Sequence, residues 1–153
     1  MKVNLKKANE DDKKFLFDLR NKDYVYKNSG TPRMVEWQEH INWLERVFSG
    51  QANKYLFVIE VDRERAGQVR FDIELENKQA IVNISLLKKF HGKGIAKEAI
   101  EQGIDKMAKE KEIKKFIAEI HQDNTASQKL FEKLGFVFQS QDDIWRTYLK
   151  KYV

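Results

Sequence analysis

The sequence predicts a mixed α/β domain, and three observations support this. Apolar residues recur at helical spacing in four separate stretches. Between residues 55 and 87 the pattern changes to short apolar runs and strict alternation. From there to the C-terminus, helical and strand segments take turns, as they do in one layered sheet. The predicted order is βααβββαβαβ, with an antiparallel meander in its N-terminal half and helices on both faces. At 153 residues, with no repeat, linker or low-complexity tract, residues 1-153 read as a single domain.

The elements follow in order. Residues 2–7 form a short strand. Asn9 offers an N-cap, and Glu10, Asp11 and Asp12 place negative charge in the first turn, where the helix dipole favours it. Phe15, Leu16 and Leu19 give this helix its apolar stripe. Lys27-Asn28-Ser29-Gly30-Thr31-Pro32 is the most loop-like stretch. Trp37, Ile41, Leu44 and Phe48 mark a second helix ending near Gly50. Tyr55–Val61 is a buried strand. Over 67–75, Val69, Phe71, Ile73 and Leu75 alternate with Gln68, Arg70, Asp72 and Glu74, so one face is apolar and the other polar. Glu76-Asn77-Lys78 turns the chain into a strand over 80–87. A helix from Gly92 to about Glu110 buries Ile95, Ala99, Ile100, Ile104 and Met107. Phe116–His121 is a strand, Thr125–Leu134 a helix closed by Gly135, and Ile144–Tyr152 the last strand.

Composition narrows the function classes. With 0 Cys there is no disulfide framework, thiolate nucleophile or Cys-type zinc site, and the three His show no ligand spacing, so no metal is expected. The net charge of +5 is spread among interspersed acidic residues, and no block of like charge marks a nucleic-acid arm. No apolar run reaches the length of a membrane span, and residues 1–20 contain no secretory h-region. The expectation is a cytoplasmic protein without membrane or nucleic-acid partners. The last strand fits a monomer or a homodimer equally well.

The chemistry concentrates in Leu86-Leu87-Lys88-Lys89-Phe90-His91-Gly92-Lys93-Gly94-Ile95-Ala96. This segment follows a strand and opens a helix, so its glycines stand where backbone N–H groups lack intrahelical partners. Glycine lets an anion approach closely, and Lys88, Lys89, Lys93 and Lys97 add charge. A pyrophosphate cradle and a turn needing glycine for geometry alone are both compatible with it. A P-loop is excluded, and the Rossmann pattern fails at Lys97.

A second segment, Asn124-Thr125-Ala126-Ser127-Gln128-Lys129-Leu130-Phe131-Glu132-Lys133-Leu134-Gly135-Phe136, lies some 30 residues later. Together the two resemble the signatures of the GNAT superfamily of acetyl-CoA-dependent N-acetyltransferases. Residues 91–96 follow [Q/R]-x-x-G-x-[G/A] except for His91. The second signature, N-x-x-[A/S]-x-x-x-[Y/F]-E-K-x-G-F, is met by Asn124, Ser127, Phe131, Glu132, Lys133, Gly135 and Phe136.

The resemblance implies a GNAT-like sheet whose central strand pair is splayed to admit the pantetheine arm of acetyl-CoA, the co-substrate. It places the pyrophosphate on the backbone of His91, Gly92, Lys93, Gly94, Ile95 and Ala96, the arm beside Leu86 and Leu87, and further cofactor contact at Asn124 and Phe131. Phe131 stands where the family usually has a tyrosine acid, and Phe has no proton to give. The thiolate then leaves unassisted, is protonated by another group, or is helped by Ser127 through water. Glu119 is the candidate base, since period two sets Ile117, Glu119 and His121 on one strand face. An ion pair with a basic neighbour would explain Glu119 equally well.

The resemblance implies an amine acceptor, and the expected one is a small molecule. Arg20-Asn21, Ser29, His40-Ile41-Asn42-Trp43 and Arg70-Phe71-Asp72 resemble GNAT members acting on nucleotide-activated amino sugars. Trp37 and Trp43 would stack on a base or sugar, and Arg20 and Arg33 would hold phosphate. Arg20, His40, Trp43, Arg70 and Asp72 are therefore the candidate acceptor residues. A protein or peptide N-terminus is the rival substrate, and a CoA-sensing domain without turnover is the rival role. Polyamines and aminoglycosides call for an acidic pocket, and none is legible.

Overall fold

The computed structural model describes Met1–Val153. Seven strands form one sheet in the order β1-β2-β3-β4-β5-β7-β6. They are β1 (Val3–Lys7), β2 (Lys54–Val61), β3 (Glu64–Glu74), β4 (Gln79–Leu86), β5 (Lys115–His121), β6 (Val137–Gln141) and β7 (Trp145–Lys151). All neighbours are antiparallel except β4 and β5. The helices are α1 (Lys13–Arg20), α2 (Asp23–Tyr26), α3 (Trp37–Phe48), α4 (Ile95–Lys111) and α5 (Thr125–Lys133).

Alternation along β2 explains the layering. Phe57, Ile59 and Val61 face a core built with α4 and α5, while Leu56 and Val58 face a smaller core with Leu16 of α1 and Ile41, Leu44 and Val47 of α3. Helices therefore cover both faces of the sheet. The capping predicted at Asn9 is present: its Oδ1 accepts from the Asp11 N–H, and Asp12 caps the Asn9 N–H in return. Asp12 is fully buried, held between Lys6 and Arg65.

Two elements exceed the sequence-based order. The single-turn α2 stands just ahead of the loop-like stretch Lys27–Pro32. A seventh strand, β6, follows Phe136 directly, and every residue of it is exposed. The feature that positions the site is the parallel pair. β4 and β5 pair only at Gln79/Lys115, Ala80/Phe116 and Ile81/Ile117, then diverge. The expected splay lies beyond Ile81.

α4 sits close against the sheet because Gly103 faces Phe71. A Cβ there would stand 2.4 Å from the Phe71 ring. The largest fully buried side chains, Tyr148, Phe71 and Phe116, lie on this same side.

Candidate active site

The divergence of β4 from β5 opens one cleft of about 1150 Å³, walled by α1, α3, α4, α5 and the sheet. It gathers the sequence-predicted residues Arg20, His40, Trp43, Arg70, Asp72, Leu86, His91, Gly92, Gly94, Ile95, Ala96, Glu119, Asn124, Ser127 and Phe131. Leu87 and Lys93 lie outside its lining.

One half is the turn entering α4. Gly92 (φ +73°) and Gly94 (φ +77°) both take left-handed backbone. Nothing lies within 4 Å of where a Cβ would stand at either, so they flank open space. The backbone N–H groups of Gly92, Lys93, Gly94, Ile95, Ala96 and Lys97 donate to no protein acceptor. Six consecutive donors at a helix N-terminus suit a pyrophosphate. Among the surrounding cations, Lys97 pairs with Glu101 and Lys89 with Glu64, while Lys88 and Lys93 make no ion pair.

The strand before this turn is already engaged. His91 Nε2 bonds the Leu86 carbonyl at 2.9 Å, and the Leu87 N–H donates to the Ala66 carbonyl at 2.8 Å. Asn124 caps α5, its Oδ1 accepting from the Ser127 N–H at 3.2 Å. Phe131 is buried and packs edge-on against Phe136, so its contribution is a wall.

The other half lies on the α1/α3 face. Extending the β4/β5 register past Ile81/Ile117 would set Asn83 opposite Glu119 and Ser85 opposite His121, across the opening. Glu119 is exposed to the cleft and makes no ion pair, so the basic neighbour that would explain it structurally is missing. Asp72, in contrast, is held by Arg70 at 2.8 Å and Lys54 at 3.1 Å. His121 Nδ1 accepts from the Asp123 N–H, and its ring meets Trp145 edge-on.

Several acceptor residues hold each other rather than open space. Arg20 donates to the Thr31 and Arg33 carbonyls, and Asn21 makes a two-way bond with the Val35 backbone. The pair thus staples the 31–35 loop onto α1. Arg33 is exposed and bound to Glu39. His40 stacks on Trp43, and the Arg70 guanidinium lies over that same ring at 5.2 Å. Trp37 packs edge-on against Phe17 and remains 44% exposed. Burial, with the Arg20 charge adding to it, pushes His40 down to about 4. The imidazole is neutral at physiological pH.

The sequence reading passed over Gln68, Asn83 and Ser85. Gln68 is buried and donates through Nε2 to Asn83 Oδ1 at 2.9 Å and Ser85 Oγ at 2.8 Å, while its own oxygen has no partner. The period-two alternation that placed Arg70 and Asp72 on the polar face also placed Gln68 there.

The model of the Acetyltransferase (GNAT) domain family matches residues 2–137. Over 88 residues the chain is 32% identical to an uncharacterized N-acetyltransferase, p20, of Bacillus licheniformis, covering 57% of this chain and 49% of that protein. The chain thus spans about half the length of that curated relative. Among solved structures, it is similar to RimL, a ribosomal-protein alpha-N-acetyltransferase in complex with coenzyme A (TM-score 0.85, 21% identity, 97% of this chain and 93% of that one). It is similar as well to the spermidine N-acetyltransferase of Vibrio cholerae in complex with CoA and spermine (TM-score 0.85, 17% identity, 97% and 95% covered).

Proposed function

The chain belongs to the GNAT acetyltransferase family, and on that premise we propose that it moves an acetyl group from acetyl-CoA to a primary amine. One observation supports this above all: six unpartnered backbone N–H groups, from Gly92 to Lys97, stand at the same opening as the unpaired carboxylate of Glu119. Bound acetyl-CoA supplies a thioester that the free amine attacks directly.

The Gly92–Lys97 donors hold the pyrophosphate, with Lys88 and Lys93 adding positive potential. Glu119 takes the proton of the incoming ammonium, directly or through one water, which frees the lone pair. Past Ile81 and Ile117 the facing strand edges have lost their ladder partners, and their N–H groups are available to a developing oxyanion. Phe131 keeps its part of the wall dry and donates nothing. The thiolate leaves unassisted or takes a proton relayed from Ser127.

We further propose that the acceptor is an amino sugar linked to a nucleotide. The acceptor half supports this through its polar Gln68-Asn83-Ser85 bank beside Trp43 and Arg70. Its carboxylates are unsuited to a polyamine, because Asp72 and Glu39 are neutralised by cations and Glu119 alone is unpaired. Arg20 and Arg33 hold protein groups, so phosphate falls to Arg70.

A thermal melt with acetyl-CoA, with dephospho-CoA and ATP as controls, tests the cofactor. Ligand at 100 times its Kd should add about 2.7 kcal/mol, several degrees in Tm. Thiol release from acetyl-CoA is then read with nucleotide-linked amino sugars, peptide N-termini and spermidine. Turnover confined to peptides or spermidine overturns the sugar reading. Binding without turnover on any amine leaves a cofactor-sensing domain.

A further inference from the structure

No sequence motif points to Tyr24, yet it occupies the junction of the two halves of the cleft. It sits on α2, the four-residue helix within the segment that walls the acceptor side. Its hydroxyl accepts a hydrogen bond of 3.1 Å from the backbone N–H of Lys88. That N–H belongs to the first residue of the turn Lys88–Phe90 and has no backbone partner of its own. The ring of Tyr24 meets the His91 imidazole edge-on, with centroids 5.6 Å apart, and His91 in turn bonds the Leu86 carbonyl. The phenolic hydrogen of Tyr24 has no acceptor in the protein and the residue lines the cleft.

At its far end the same segment is tied internally. Ser29 Oγ bonds the Tyr26 and Thr31 carbonyls, and Thr31 and Arg33 are held by Arg20. Residues 23–33 are thus a strap hung between α1 and the turn that leads into the Gly92–Lys97 donors. Tyr24 is its only hydrogen-bonded attachment to that turn.

We propose that Tyr24 is a positioning residue that couples acetyl-CoA binding to the ordering of the acceptor wall. A ligand that fixes the cofactor turn fixes the Lys88 N–H, and through Tyr24 it fixes residues 23–31. By linkage the coupling is reciprocal, so a strap held in place tightens the cofactor site. The inference rests on acetyl-CoA binding at the Gly92–Lys97 turn.

The test is hydrogen exchange on the full chain, wild type and Tyr24→Phe, with and without acetyl-CoA, beside calorimetric titration. Tyr24→Phe keeps the ring on His91 and removes only the hydroxyl. In the wild type, acetyl-CoA slows exchange over both 92–97 and 23–31. In Tyr24→Phe it slows exchange over 92–97 alone, and acetyl-CoA affinity falls about fivefold, the worth of one hydrogen bond. The melting temperature without ligand stays within about 2 °C, so a general loss of fold does not account for the change. Three results overturn the proposal: residues 23–31 indifferent to acetyl-CoA in the wild type, equal protection there in both proteins, or tighter binding by the variant. The last would make Tyr24 a competitor for the Lys88 N–H. If wild type shows neither a melting shift nor protection at 92–97, the cofactor reading itself fails, and this inference with it.

Discussion

From Gly92 to Lys97 the cofactor half of the cleft presents main-chain donors with no partner, while in the acceptor half Arg20, Arg70 and Asp72 are already engaged by the protein and Glu119 stands unpaired. Arg20 is spent on loop carbonyls, Asp72 on Arg70 and Lys54, Arg33 on Glu39, and Trp43 between His40 and Arg70. A site made from backbone depends on conformation, whereas a site made from mutually paired side chains depends on neighbours. The first kind is written into a short motif. The second is distributed over segments far apart in the chain.

The largest effect should come from attacking conformation directly. Gly94→Val puts a β-branched residue at φ +77°, a strain of roughly 1–3 kcal/mol that is relieved only by turning the N–H row away. Calorimetry should show acetyl-CoA affinity down by about 100-fold or more. If Gly94→Val bound acetyl-CoA normally, the backbone account of this half would be broken.

Glu119→Gln tests the one unpaired carboxylate of the other half. It should lower kcat/KM about 100-fold and remove the low-pH limb of the rate profile, with acetyl-CoA affinity unchanged. An unaltered pH profile would remove Glu119 from the chemistry.

The mutual packing of the acceptor half makes stability respond to acid. His40 is held near 4 in the folded state against 6.5 in the open chain, so the unfolded state binds the extra proton in between. Its contribution is complete above about pH 6.5 and drains away as pH falls toward 4. Thermal melts should show Tm falling by several degrees across that window, and His40→Asn should flatten this acid limb.

The smallest effect sharpens the comparison within the cofactor half. Lys93 is unpaired and Lys97 is bound to Glu101. Lys93→Ala should weaken acetyl-CoA about threefold at low salt and less at physiological ionic strength, and Lys97→Ala by less than about twofold. Equal losses would mean that the Lys97–Glu101 pair does not withhold charge from the site.

What was legible in the sequence follows the same division. Alternation placed Glu119, Arg70 and Asp72 on the correct strand faces, because burial imposes period two. The glycine turn and the Asn9 cap were readable because each solves a local backbone problem. Strand β6 was not, since a strand with every residue exposed carries no burial pattern; it is an edge, and pairing with β7 alone defines it. The partners of Arg20 were invisible for another reason. Guanidinium groups bind loop carbonyls as readily as phosphate, and only the folded path of residues 31–35 decides between them. Tyr24 is a single side chain meeting a backbone atom 64 residues away, and no local pattern encodes that.

Gly103, deep in the core, bears on the cleft although it never touches it. It lies nine residues from Gly94 along α4, about 13 Å at 1.5 Å per residue. The helix behaves as a lever whose fulcrum is the contact with Phe71. A methyl group at that fulcrum would tilt α4 off the sheet, and a tilt of only about 5° carries the row of donors roughly 1 Å from its aim. Displacements of that size cost about 100-fold where geometry sets the rate. A substitution that filled this position should therefore weaken acetyl-CoA binding at the turn without altering any residue that lines the cleft.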